Sequence, residues 1–135
     1  MKNITLFASN KIRLHSNEIT VDGLGIAIEP FIVLPLNVSD EELINALRRW
    51  CLEASRANVP HRPWQQEETA AYYKKLGVRS HKDLGRGADV RLENGRYTIT
   101  PIDKKGRFGE PLGAEEEELL VVVRKCLGML PAQAG

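Results

Sequence analysis

Residues 38–56 read VSDEELINALRRWCLEASR, and the reading of this stretch decides the fold. Ser39 is followed three residues later by Glu42, the spacing of a capping box that closes the first turn of a helix on itself. Val38 before the cap and Leu43 after it are placed to pack as a hydrophobic staple. Leu43, Ala46, Leu47, Trp50, Cys51 and Ala54 then recur at offsets of three and four, an apolar stripe with one orientation. The pattern predicts one amphipathic helix. Six buried side chains do not order so long a helix in isolation, because most helical stability in proteins comes from packing of the apolar face. The stripe therefore needs a surface to lie on, and the flanking sequence supplies a sheet.

Upstream, the chain alternates. Ile4 and Leu6, Ile12 and Leu14, and Ile19 and Val21 each place two apolar side chains on one face of a short strand. Ser9-Asn10 and Ser16-Asn17 fall between these pairs as turn residues. With Ser16-Asn17 as a two-residue hairpin loop, Leu14 would face Ile19 and Ile12 would face Val21. Gly23 and Gly25 break the run, and Ile26 to Leu34 (IAIEPFIVL) has the continuous apolarity of a central strand. Pro30 argues for a bend, a bulge or an edge within it.

Downstream, Asn58 to Pro63 is a loop stiffened by two prolines, and a second helix is expected from Trp64 to Leu76, with Gly77 as its left-handed terminator. Its apolar stripe is thin (Trp64, Ala71, Tyr72, Leu76), so it should be peripheral. Ser80 to Leu84 reads as a short turn with Asp83 at the capping-box position. Asn94-Gly95 is the preferred pair for a type I′ turn and sets Glu93 opposite Arg96, Leu92 opposite Tyr97 and Val90 opposite Ile99. Lys104 to Arg107 is a polar turn. Near the C-terminus, Leu119, Val122, Val123, Cys126, Leu127 and Leu130 keep helical spacing, with Glu115 to Glu118 at the positive end, Arg124 and Lys125 near the negative one, and Gly128 as the stop. The architecture expected is α+β: a single domain, 1–135, with a mainly antiparallel sheet on which the first and last helices pack.

A chain of 135 residues suits one core. No apolar run reaches the ~18–20 residues of a membrane span, and the expected compartment is the cytoplasm. Cys51 and Cys126 both fall on apolar helix stripes, where a reduced cysteine acts as a small hydrophobe; a disulfide is the weaker reading. Charge is uneven. The segment Lys74–Arg107 carries ten Lys/Arg against four Asp/Glu, a net of +6 in a chain whose total is +1. Such polarity marks a nucleic-acid footprint, a charged protein interface or simply a solvated face.

Few residues are spaced for catalysis. His15, His61 and His81 are isolated in sequence, the cysteines have no metal spacing, and neither Gly23-Leu24-Gly25 nor Gly85-Arg86-Gly87 forms a phosphate loop. No catalytic residue, cofactor or metal site is expected, and the chain is read as a non-enzyme. Exposed aromatics and charges remain as the functional signal: Trp64 and Tyr73 on the second helix with Glu67 and Glu68, and Asp40 and Glu41 at the start of the first.

The order of motifs then becomes informative. Glu29 to Pro35 (EPFIVLP), Ser39 to Leu43 (SDEEL), Ala46-Leu47, Ala54-Ser55-Arg56, Tyr72 to Leu76 (YYKKL), Lys82-Asp83-Leu84 and Ile99 to Pro101 together resemble the immunity proteins of contact-dependent growth inhibition systems. Ile44 stands where the pattern E-L-G carries glycine. The resemblance implies a small cytoplasmic protein that binds the C-terminal toxin domain, often a nuclease, of a cognate effector in a 1:1 complex. A nuclease presents a basic groove, so the acidic helix starts are the expected contacts: Asp40 and Glu41, or Glu67 and Glu68 with Trp64 and Tyr73. The alternative is a nucleic-acid-binding module using the basic segment 74–107.

Overall fold

The alternating N-terminal third becomes a three-stranded antiparallel meander in the computed structural model, which describes residues 1–129. Its strands are β1 (Lys2–Ala8), β2 (Lys11–Thr20) and β3 (Gly25–Pro35). Ser9-Asn10 turns β1 into β2 as expected, and Arg13 donates to both Ser9 Oγ and Asn10 Oδ1 across the turn. Ser16-Asn17 does not form a hairpin. Both residues continue β2, and Leu14 faces Leu6 and Ile32 rather than Ile19. Their polar groups are satisfied inside the fold: Ser16 Oγ donates to Cys51 O at 2.7 Å, and Asn17 Nδ2 donates to Asn3 Oδ1 and Thr5 Oγ1 at 2.8 Å each. A buried polar pair with full partners has no need of a turn.

β3 is an edge strand, not the central one. The sheet order is β3-β2-β1-β5-β6-β7, where β5 spans Arg86–Glu93, β6 Arg96–Ile102 and β7 Leu112–Ala114. The register with β2 jumps between His15/Phe31 and Ser16/Ile28, so the extra residues Glu29 and Pro30 sit in a bulge. Pro30 thus lies at an edge and at a bulge, the two places where a strand tolerates a missing N–H. The Asn94-Gly95 hairpin joins β5 and β6 in the predicted register, with φ positive at both turn residues (53° and 77°). β7, three residues long, carried no strand pattern and is set by pairing with β6.

The organising helix differs from its prediction. It starts as α1 (Asp40–Asn45), with Ser39 Oγ accepting from Glu42 N and Val38 and Leu43 both buried. From Ala46 to Leu52 it widens into a π-helix, and Glu53 N–H reaches back five residues to Arg48 O. The wider turn changes which side chains face the sheet. Leu47, Cys51 and Leu52 are buried, whereas Trp50, placed on the stripe by 3.6-residue periodicity, is 62% exposed. The helix also ends early: Arg56–Val59 is β4, which pairs with β2 in parallel beyond the end of β1. Ser55 fixes this exit, accepting from Asn3 N at 2.8 Å and donating to Asn17 O at 2.7 Å.

One face of the sheet (Ile4, Leu6, Ile12, Leu14, Val90, Ile99) buries the α1 and π-helical segment together with α3 (Leu119–Cys126). The acidic run forms a 3-10 turn, Glu116–Glu118, ahead of α3, and Gly128 (φ 74°) stops it. Arg124 is not a surface cation facing the helix end. It is buried, donating to Asp40 Oδ1 at 2.7 Å and to Val38 O, and so ties α3 to the start of α1. Leu130 lies outside the described residues. Both cysteines are free and buried, and burial pushes the Cys51 thiol up to about 12.

The opposite face carries a smaller core of Phe7, Leu76, Leu84 and Ile102, covered by α2 (Gln66–Leu76) and the 3-10 turn His81–Asp83. α2 is peripheral as expected, with Leu76 its one buried residue, and Gly77 terminates it at φ 74°. The predicted Ser80 cap is not made; the Asp83 carboxylate accepts from Arg79 N instead. Among the described residues no helix is long and apolar enough to cross a membrane.

Candidate functional site

Weak amphipathicity lets α2 lie loosely on the sheet, so its placement depends on a few directed contacts. Arg13, buried on β2, donates through Nε to Leu76 O at 2.7 Å and holds the C-terminal end of the helix. At the other end, Gln65 and Glu68 form a capping box, with Glu68 Oε2 accepting from Gln65 N at 2.9 Å. The first contact holds α2 to the sheet, and the second closes its own first turn.

An aromatic column runs from the sheet to the surface at that face. His15 is buried, and its ring centroid lies 5.4 Å from Phe31 and 5.1 Å from Tyr72. Tyr72 meets Phe31 at 6.1 Å, Tyr73 at 5.5 Å and Trp64 at 6.4 Å, all edge to face, the arrangement that ring quadrupoles favour. Lys75 Nζ sits 5.0 Å from the Phe31 ring centroid. At the outer end Trp64 is 39% exposed and donates through Nε1 to Thr69 Oγ1 at 2.9 Å.

Hydrogen bonds fix the column's root. His15 Nδ1 lies 2.9 Å from Ser16 O, which can only accept, so Nδ1 carries the proton. Nε2 is then the acceptor for the Tyr72 hydroxyl at 2.8 Å. Burial pulls His15 down to about 4, against the raising effect of the Ser16 carbonyl, so the ring is neutral at pH 7. Burial raises the Tyr72 phenol above its ordinary range, with Tyr73 adding to it. The pair is a fixed, uncharged support.

Beside Trp64 the column opens into a cleft of about 110 Å³, bounded by Phe31, Tyr72, Arg62, Glu68 and Lys75. Arg62 Nη1 donates to Glu68 Oε1 at 2.5 Å across its mouth. The Gln65 backbone N–H first, and then Arg62, hold the Glu68 carboxyl below the usual carboxylate range. The cleft thus sets the aromatic walls of Phe31, Trp64 and Tyr72 beside the Arg62–Glu68 ion pair.

The six sequence-predicted contacts do not form one surface. Trp64, Glu67, Glu68 and Tyr73 share α2 and its start, with Glu67 exposed and Tyr73 half-buried against Tyr72. Asp40 and Glu41 belong to α1, on the opposite face of the sheet, and Asp40 already serves Arg124. Sequence reading missed His15, Phe31, Tyr72 and Arg62 as parts of the site. The decisive contact, His15 to Tyr72, spans 57 residues, and no local spacing announces it. Among the described residues no three His, Cys, Asp or Glu side chains gather to hold a metal ion.

No protein-family model matches this chain, and no curated protein does. Among solved structures it is similar to a protein of unknown function, NMB0488 from Neisseria meningitidis, with a TM-score of 0.66 over 93% of this chain and 92% of that one. The two are 17% identical, so the likeness is one of fold.

Proposed function

We propose that this protein is an immunity protein, one that binds and neutralises the toxin domain of a cognate contact-dependent growth inhibition effector in a 1:1 complex. The observation that carries the reading is the aromatic column. Trp64 stands half-exposed on a support locked by the His15–Tyr72 hydrogen bond, with Glu67 and Glu68 in the next turn. Interface anchors are typically rigid aromatics set among charges that orient the partner. Acids beside an aromatic suit a basic toxin surface, as a nuclease groove would present. The motif resemblance from Glu29 to Pro101 supports the same reading.

The α2 face is preferred to the α1 start because it sets the exposed acid Glu67 near Trp64, which packs on Tyr72; Asp40 and Glu68 are each already paired, with Arg124 and with Arg62. The test combines Trp64→Ala, Glu67→Lys and Glu68→Lys and measures protection of toxin-exposed cells alongside the melting temperature. Loss of protection with the fold retained is the expected result. Full protection by a folded triple variant refutes this surface, and if Glu41→Lys removes protection instead, the α1 start is the contact.

A further inference from the structure

The basic segment is dispersed by the fold, and only part of it converges. Lys74 and Lys75 end α2, and Arg91 and Arg96 flank the β5–β6 hairpin. Lys82 from the 3-10 turn, Arg86 from the start of β5, and Lys104, Lys105 and Arg107 from the loop after β6 line a single groove of about 760 Å³ at one end of the sheet. Among the described residues Asp103 is the one acid lining it. Its carboxylate accepts from Lys105 N, Arg107 N and Arg107 Nε, all within 2.9 Å, so it is spent in shaping the loop. The backbone hydrogen bond from Arg107, ahead of the other loop donors, keeps that carboxyl below its ordinary range.

Gly106 seats the loop on the fold. At φ 84° it packs so closely on the His81 ring that a Cβ there would lie 2.9 Å from Nε2, and His81 in turn packs edge-on against Phe7. The loop that carries Lys104, Lys105 and Arg107 is thereby packed against the turn that carries Lys82.

An aromatic adjoins them. Phe108 follows Arg107, is 64% exposed, and lines a second depression that shares Arg86, Asp103 and Arg107 with the first. A cationic groove that tracks a backbone, bordered by an open aromatic ring on which a base can stack, is the pairing used to hold single-stranded nucleic acid. We infer that this groove binds single-stranded nucleic acid, with Lys82, Arg86, Lys104 and Lys105 on successive phosphates and Phe108 stacked on a base. A duplex fits less well, since its bases are not free to reach the ring. The inference does not rest on the toxin-binding reading, whose surface is built from other residues.

The experiment is fluorescence anisotropy of the full chain with labelled 12-nucleotide poly-dT and poly-U, compared with a duplex of equal length and with polyglutamate, from 50 to 200 mM salt. Four phosphate contacts predict a slope of log K on log salt near −3, or about 50-fold weaker binding across that range. Lys104→Glu with Lys105→Glu should abolish binding. Phe108→Ala should weaken it about 5- to 150-fold without changing the slope. Arg91→Glu with Arg96→Glu at the β5–β6 turn should leave it within about twofold, with circular dichroism confirming that every variant is folded. Absence of binding at 50 mM salt overturns the inference. So does equal affinity for duplex or polyglutamate, or an unchanged affinity in Phe108→Ala.

Discussion

Acidifying the protein tests the root of the aromatic column. His15 has an ordinary value of 6.5 and is held near 4 in the fold by burial. Between these values the unfolded chain binds a proton that the folded one refuses, so stability falls as pH drops through that window and is fully retained above it. Linkage gives a loss of about 2 kcal/mol by pH 5 and about 3 kcal/mol by pH 4 from this ring alone. Other groups titrate too. Asp22, Glu68 and Asp103 are held low and lose their contributions only further into acid, while burial raises Asp89, whose protonation favours the fold. A second protein cancels them. Denaturant unfolding of wild type and His15→Gln at pH 7 and pH 5 should show wild type losing about 2 kcal/mol more than the variant over that interval. At pH 7 the variant itself should be about 1–3 kcal/mol less stable, from the disturbed pairing of Tyr72 and Ser16. Equal pH dependence in the two proteins would mean that His15 is charged or solvated in the fold, and the fixed, neutral support for Trp64 would be refuted.

Three further outcomes probe the framework. Leu47→Ala should cost about 2–5 kcal/mol, whereas Trp50→Ala should stay within about 0.5 kcal/mol, a contrast measurable by chemical denaturation that separates the π-helical stretch from a regular helix. Asp40→Asn removes the charge facing buried Arg124; because Asp40 is 57% exposed the cost should be about 1–2 kcal/mol, below that of a fully buried pair, and should fade in Arg124→Met. Gly85→Ala should lower the melting temperature far more than Gly77→Ala. Both have positive φ, but a Cβ at Gly85 would lie 2.1 Å from Ala8 O while Gly77 has nothing within 4 Å.

Local chemistry carried much of the fold. Asn94-Gly95 dictated its hairpin because both residues tolerate the positive φ that a type I′ turn requires, and Ser39 and Gly77 marked real helix ends for equally local reasons. The α+β class followed from these elements. What escaped were features set by distant partners. Ser16 and Asn17 look like turn residues until Cys51, Asn3 and Thr5 arrive to bond them, and Trp50 looks buried until the helix widens. The same limit applied to the site. Trp64 and Tyr73 stood out by residue type, but His15 and Phe31, on strands far away in sequence, could not be joined to Tyr72 without the sheet. Arg107 and Phe108 were adjacent in sequence all along, yet the groove they border needs Lys82 and Arg86 brought alongside.

The most direct measurement of the central proposal is co-expression of this chain with the product of the adjoining upstream reading frame, tagging one of the two, followed by purification and light scattering. A stable 1:1 complex is expected, whose partner kills cells when this protein is omitted and whose assembly is lost in the Trp64, Glu67 and Glu68 triple variant. No complex, together with a partner that is harmless alone, would contradict it.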